Sequence, residues 1–120
     1  SVEELKESVR GLVDDWLAGG DQEEFVRGVR ELEAPHYGHQ LVKTLVYRAV
    51  EAGDEQVTKA VGLIELCVAQ QELDFNQVYK GLNRTIQGLG DLSVDVPAAR
   101  GRVEGLLAQA EARGVLTAAA

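Results

Sequence analysis

The segment "GDLSVDVPAAR", residues 90–100, holds two carboxylates that could form ion pairs with another molecule. Asp91 and Asp95 lie four residues apart in what we interpret as a loop, with Leu92 and Val94 between them. Carboxylates beside small apolar side chains can bind Arg or Lys of a basic protein while the apolar residues are buried in the contact. A local role is also open, because Asp91 can close a turn and Asp95 can cap the following helix.

Two histidines, His36 and His39, lie three residues apart in "APHYGHQ" and can in principle approach one metal ion. A zinc site normally needs three or four ligands. The single cysteine, Cys67, is far away in an apolar stripe, and no carboxylate has a matching offset beside the histidines. We therefore expect no metal, and a structural role for this turn in starting the third helix.

The other candidates for catalysis are weak. Acidic pairs such as Asp14 and Asp15 are adjacent in sequence, and neighbours on a helix diverge and are mostly solvated. Ser93 lacks the flanking glycines of a hydrolase nucleophile, and "GLGD" lacks the Lys and Ser or Thr of a phosphate loop. We expect neither an enzyme nor a cofactor.

Size and charge limit the kind of partner. A chain of 120 residues fits one domain, and 12 basic against 20 acidic residues give a formal net charge of −8. Nucleic-acid affinity depends on positive charge, so direct DNA or RNA binding is disfavoured and a basic protein is the better partner. With no run long enough to cross a bilayer and no secretory signal pattern, we expect a soluble, intracellular protein without membrane contact.

Apolar residues that recur at steps of three and four predict six helices and no sheet. Short connections favour antiparallel neighbours, which gives three hairpins at about residues 1 to 33, 37 to 72 and 74 to 113. Their length approaches the period of HEAT-type repeats, although an irregular six-helix bundle fits nearly as well. The predicted fold class is all-α, a HEAT-like stack of antiparallel hairpins with about six or seven helices.

Local signals refine this prediction. Asp21 with Glu24, and Asp74 with Gln77, match the capping-box pattern at a helix start. Pro97 is expected in the first turn of the last helix, where its missing N–H has no partner to lose. The fourth helix is apolar on most sides and is expected to be central.

Glycines within the predicted helices should lower their stability. Gly81, Gly101 and Gly105 each occupy such a position. Relative to alanine, each is expected to weaken its helix by roughly 0.5 to 1 kcal/mol.

Two stretches resemble the MA-3 domain family. "GDQEEFVRGVRELEAPHYGHQLVKTLVYRAVE" is similar to the first half of that domain, in which Gly-Asp starts a helix and Pro, His and an aromatic residue lead into the next. "GDLSVDVPAARGRVEGLLAQAEARGVL" resembles its acidic, apolar, Asp-Val-Pro segment and final helix. The resemblance extends from about Val2 to Leu116, so residues 1–120 are interpreted as a single domain, one of several in a longer chain.

The resemblance implies a stack of HEAT-like hairpins that binds the DEAD-box RNA helicase called translation initiation factor 4A. The family's domains occur in an apoptosis-associated tumour suppressor, where they inhibit translation initiation, and in the large scaffold of the cap-binding complex. This chain is therefore expected to regulate, and to inhibit, translation initiation as a monomeric domain in the cytoplasm, the nucleus or both. The alternative is a HEAT-like scaffold that binds another protein or RNA.

The resemblance also implies where the helicase binds. The family's acidic contact residues match Asp91 and Asp95 position by position, and Leu92, Val94 and Pro97 belong to the same segment. A second contact is expected at the turn before the third helix; its residues are Pro35, His36 and His39.

Overall fold

The computed structural model describes residues 1–116 and shows seven α-helices joined by short connections. No strand occurs in this part of the chain, and the predicted all-α fold class is confirmed. None of the described helices is long and apolar enough to cross a membrane. The helices are α1 (Val2–Gly19), α2 (Gln22–Leu32), α3 (Gly38–Ala52), α4 (Asp54–Ala69), α5 (Phe75–Gln87), α6 (Leu89–Asp95) and α7 (Ala99–Ala112), and a 3₁₀ turn spans Pro35–Tyr37.

Two helices begin where side-chain caps were predicted. The Asp21 side chain accepts a hydrogen bond from the Glu24 N–H at 3.1 Å, and the Asp74 side chain accepts one from the Gln77 N–H at 2.8 Å. Neither start has the return bond of a capping box within residues 1–116, and at α5 the Gln77 side chain instead accepts from the His39 N–H at 2.7 Å. The start of α5 is thereby tied to the start of α3.

The centre of the fold is α3, not the fourth helix as predicted. α3 packs against α1, α4, α5 and α7, and its closest partner is α5. A helix with neighbours on several sides must be apolar on several sides, whereas the fourth helix keeps one solvated face with Glu55, Thr58 and Lys59. The buried residues of α3 are Gly38, Leu41, Val42, Leu45, Val46, Ala49 and Val50.

Two of the three predicted hairpins are present. α1 packs against α2 and α3 against α4, and in each case the short connection reverses the chain. The third pair differs from the prediction, because α6 lies between α5 and α7 in the chain and α7 packs mainly against α4. Because α6 is inserted after α5, the last helix, α7, packs against α4 and does not form the predicted hairpin with α5.

Candidate functional site

The acidic pair lies on a short helix, and the prediction of a loop is wrong. α6 spans Leu89–Asp95, with Leu89 and Leu92 buried. Two leucines three residues apart face the same side of a helix, so this conformation allows both to be buried against the core. The Ser93 hydroxyl donates to the Leu89 carbonyl at 2.7 Å and supports the same turn.

Asp91 and Asp95 occupy the solvent side of α6. Both residues are exposed, and neither side chain has an ion pair or hydrogen bond with any residue of 1–116. Residues four apart share one helix face, and two like charges in this arrangement repel by about 0.2–0.5 kcal/mol. An incoming cation would relieve this repulsion without having to displace an existing partner.

The apolar residues of the segment divide between surface and core. Val94 is 79% exposed, the highest value among the exposed large hydrophobic residues, and Pro97 is also exposed. Leu92 is only 6% exposed, so the expectation that it touches a partner directly does not fit its position. Leu92 instead fixes α6 to the core and so holds the neighbouring carboxylates outward.

The predicted local role for Asp95 is wrong. Asp95 is the last residue of α6, and α7 begins after Ala98, which provides no side-chain cap. Pro97 lies in the turn before α7 and not within its first helical turn, where it was expected. The Asp95 carboxylate is therefore not engaged in capping and faces solvent.

Tyr47 of α3 packs at the start of α6, a contact that sequence reasoning missed. Gly88 precedes α6, and a Cβ placed there would collide with the Tyr47 hydroxyl, which shows how close the two segments lie. Burial, and then the nearby Asp91 carboxylate, raise the pKa of Tyr47. The Lys43 ammonium lies 5.3 Å from the centre of the Tyr47 ring. Nothing in the local sequence pattern links this tyrosine to the acidic segment.

The second predicted contact, the turn at Pro35–Tyr37, leads into α3. Pro35 and His36 are exposed, whereas His39 is partly buried and held by Gln77, whose side-chain oxygen lies 2.9 Å from its Nδ1. This geometry gives His39 a structural part in joining α3 to α5. It leaves Pro35 and His36 as the accessible members of the predicted secondary site.

Within residues 1–116 no three His, Cys, Asp or Glu side chains are grouped so as to hold a metal ion. Burial, and then the Glu72 carboxylate, raise the pKa of the Cys67 thiol to about 12, which keeps it unreactive at neutral pH. A cleft of about 450 Å³ beside Trp16 and Lys59 is lined by no His, Cys or Ser and by no residue of α6.

Comparison with known proteins places these features in a family. The sequence profile described as the MA3 domain matches residues 5–117. MA3 domain-containing translation regulatory factor 2 of Arabidopsis thaliana is 35% identical over 118 residues, which cover 89% of this chain and 17% of that protein. Programmed cell death protein 4 of Homo sapiens is 25% identical over 118 residues, which cover 98% of this chain and 25% of that protein. The chain thus spans about a sixth to a quarter of the length of these relatives.

Proposed function

The chain belongs to the MA3 domain family, and from this membership we propose that it is a protein-binding module of a translation regulator. The names of the relatives support regulation of translation, and the exposed acidic face of α6 supports action by binding. We define the acidic face as Asp91, Val94 and Asp95. The module acts without catalysis of its own, in the cytoplasm, the nucleus or both.

The proposed partner is the DEAD-box helicase translation initiation factor 4A, as the family resemblance implies. The observation that carries this proposal is the pair of exposed carboxylates, Asp91 and Asp95, that have no partner within residues 1–116 and flank the exposed Val94. Arg or Lys on the helicase would form charge-assisted hydrogen bonds with the two carboxylates, and Val94 would be buried between them. This combination supplies both orientation and apolar contact area.

Regulation would follow because this domain, when bound, occupies part of the helicase surface. A module that holds a helicase surface needed for RNA binding or lobe closure lowers helicase activity, and so lowers translation initiation. RNA as the direct ligand is disfavoured, because the chain has a formal net charge of −8 and RNA affinity requires neutralisation of phosphates by cations.

The test replaces each carboxylate by its neutral isostere. Asp91→Asn and Asp95→Asn should each weaken helicase binding by about fivefold or more, because each removes a charge-assisted bond of about 1 kcal/mol or more. The helical far-ultraviolet signal should stay the same, since neither side chain has an intramolecular partner among the described residues. Isothermal titration at two salt concentrations, with helicase ATPase activity read in parallel, measures the affinity, its electrostatic part and the effect.

Asp15→Asn provides the matched control. Asp15 is exposed on α1, and Asp15→Asn changes the net charge by the same amount as either single variant of the acidic face. Because Asp15 lies outside the acidic face, this substitution should leave the affinity for the helicase unchanged. Full affinity in the Asp91→Asn, Asp95→Asn double variant would exclude the acidic face as the helicase site. Equal losses in the control and in either single variant would reduce the effect to overall charge.

A further inference from the structure

α5 differs from the rest of the molecule in charge. It is the only α-helix of the described chain without an Asp or Glu, and its charged residues are Lys80 and Arg84. Neither forms an ion pair within residues 1–116, although the whole chain carries an excess of acidic residues. The surface of α5 is thus locally basic on an acidic protein.

The same helix exposes three large apolar side chains. Phe75 and Tyr79 are each 49% exposed and Ile86 is 46% exposed. At 3.6 residues per turn these positions fall within about 40° of one another around the helix axis and extend along it for about 16 Å. They line up as a stripe along one side of α5, and exposed apolar side chains with a polar border are typical of an interaction site.

The exposed side of α5 is ordered into parallel rows. Next to the apolar stripe, the helical spacing places a row of amides, Asn76, Asn83 and Gln87, all exposed. Beyond the amides lie Lys80 and Arg84. The face of α5 therefore changes from apolar through neutral polar to basic around its circumference.

We propose that this face, which we call the α5 face and define as Phe75, Tyr79, Lys80, Arg84 and Ile86, binds an acidic amphipathic helix of a partner protein. A helix laid along α5 can bury its own apolar seam on the stripe, because the stripe extends for about 16 Å, roughly three helical turns, and a bound helix presents its apolar anchors over such a length. Asp or Glu on the flank that lies over the amide row would then be directed toward the two basic side chains, which can extend toward them. Charge complementarity fixes the orientation of the bound helix.

The observations favour a protein over a polyanion. Two cations are few for RNA, whose affinity grows with the number of phosphates neutralised, and few for an anionic membrane, which is recognised by clusters of about four to eight Lys or Arg. An acidic helix needs only local complementarity and uses the apolar stripe, including Ile86, which offers no aromatic ring for base stacking.

This binding is separate from the proposed function of the acidic face. The α5 face and the acidic face belong to different helices and have opposite charge, so they select opposite partners. Asp91→Asn with Asp95→Asn should therefore not weaken binding of an acidic helix at the α5 face. Failure of either proposal leaves the other standing.

The test uses the whole chain and a pair of synthetic helical peptides. Both peptides carry leucines at i, i+4, i+7 and i+11; one has glutamates along a single flank and the other has lysines at the same positions. Fluorescence anisotropy gives the affinities, and amide chemical shifts identify the residues affected. We expect the glutamate peptide to bind at least about tenfold more tightly, a difference of about 1.4 kcal/mol or more, with shifts centred on 75–87.

Variants of the α5 face sharpen this test. Tyr79→Ser with Ile86→Ser should weaken the glutamate peptide about tenfold or more, whereas Val2→Ser, an equally polar change at another exposed apolar residue, should not. Lys80→Glu with Arg84→Glu should reverse the preference in favour of the lysine peptide.

Several outcomes would overturn the proposal. They are equal affinity for the two peptides, absence of binding at micromolar concentration, or shifts that lie outside α5. Single-stranded RNA and phosphatidylserine vesicles are titrated in parallel. Saturable binding of either one that is lost on Lys80→Glu with Arg84→Glu would assign the α5 face to that polyanion instead.

Discussion

Replacing Gly81 by alanine tests how α5 is seated on α3. In an exposed helix interior this change stabilises a protein by up to about 1 kcal/mol, because alanine has the better helix propensity. Gly81 is buried, however, and a Cβ there would lie 2.6 Å from the Val42 Cβ and 2.7 Å from the His39 carbonyl oxygen. Neither atom is the end of a flexible side chain, so α5 must move away from α3.

The magnitude follows from two opposing terms. Overpacking of a close contact costs about 1–3 kcal/mol, against a propensity gain of about 1 kcal/mol at most. We expect Gly81→Ala to lower the free energy of unfolding by about 1–2 kcal/mol. For a chain of this size that corresponds to a fall in Tm of roughly 3–8 °C.

Gly105→Ala is the matched control for Gly81→Ala. Gly105 is exposed within α7, and a Cβ at this position would meet nothing within 4 Å. Here only propensity acts, and Tm should rise by a few degrees. Differential scanning calorimetry and urea unfolding on both variants decide the matter. If the two substitutions raised Tm equally, the close approach of α5 to α3 would not be a determinant of the fold.

Two further changes probe the core and its junctions. Burial raises the pKa of the Cys67 thiol to about 12 in the folded chain, so the unfolded state releases this proton first as pH rises above about 9. The free energy of unfolding should then fall by about 1 kcal/mol per pH unit, more steeply than in Cys67→Ala. Urea unfolding at several pH values measures this difference. Arg102 donates hydrogen bonds to the Val50 carbonyl at 2.7 Å and to the Asp54 carboxylate at 3.0 Å, so Arg102→Ala should lower the free energy of unfolding by about 1 kcal/mol. Arg100→Ala should change it very little, because Arg100 is exposed and has no ion pair within residues 1–116. Urea unfolding of both variants measures the difference, and equal effects would contradict this reasoning.

Local signals were enough to predict most helices. The long helices carry several apolar residues on one face, and Asp21 and Asp74 mark two of their starts with side-chain caps that the structure confirms. α6 was not predicted, because this helix of seven residues has only two buried apolar residues, Leu89 and Leu92. Two residues are too few to separate a helical period from the spacing of a loop.

Tertiary packing accounts for the remaining differences. The fourth helix is apolar on most sides, yet α3 is central, because centrality depends on which helices surround a segment and not on its own composition. From the sequence alone, Gly81 is expected only to weaken its helix, because its cost in helix propensity is local. Its benefit is the close packing of α5 on α3, which depends on Val42 of the other helix.

At the acidic face, the sequence and the family resemblance identified the segment but not its orientation. Whether Leu92 or Val94 is exposed depends on the phase of a helix that was not predicted. Tyr47 was missed for a different reason: it reaches the start of α6 only through the packing of α3. Asp91 and Asp95 remain a predicted binding site, now with a geometry that a partner can use.

Overall charge does not determine the local charge that a small ligand meets at one face of this surface. At physiological salt, charges more than about 8 Å apart are largely screened. The described chain extends 34 × 31 × 25 Å, so a ligand on one helix responds mainly to the charges of that helix and its immediate neighbours. The net charge of −8 is therefore compatible with a basic α5 face, just as it is with an acidic face on α6. Added salt should weaken binding at both faces, but neutralising Asp91 and Asp95 should remove the salt dependence only at the acidic face.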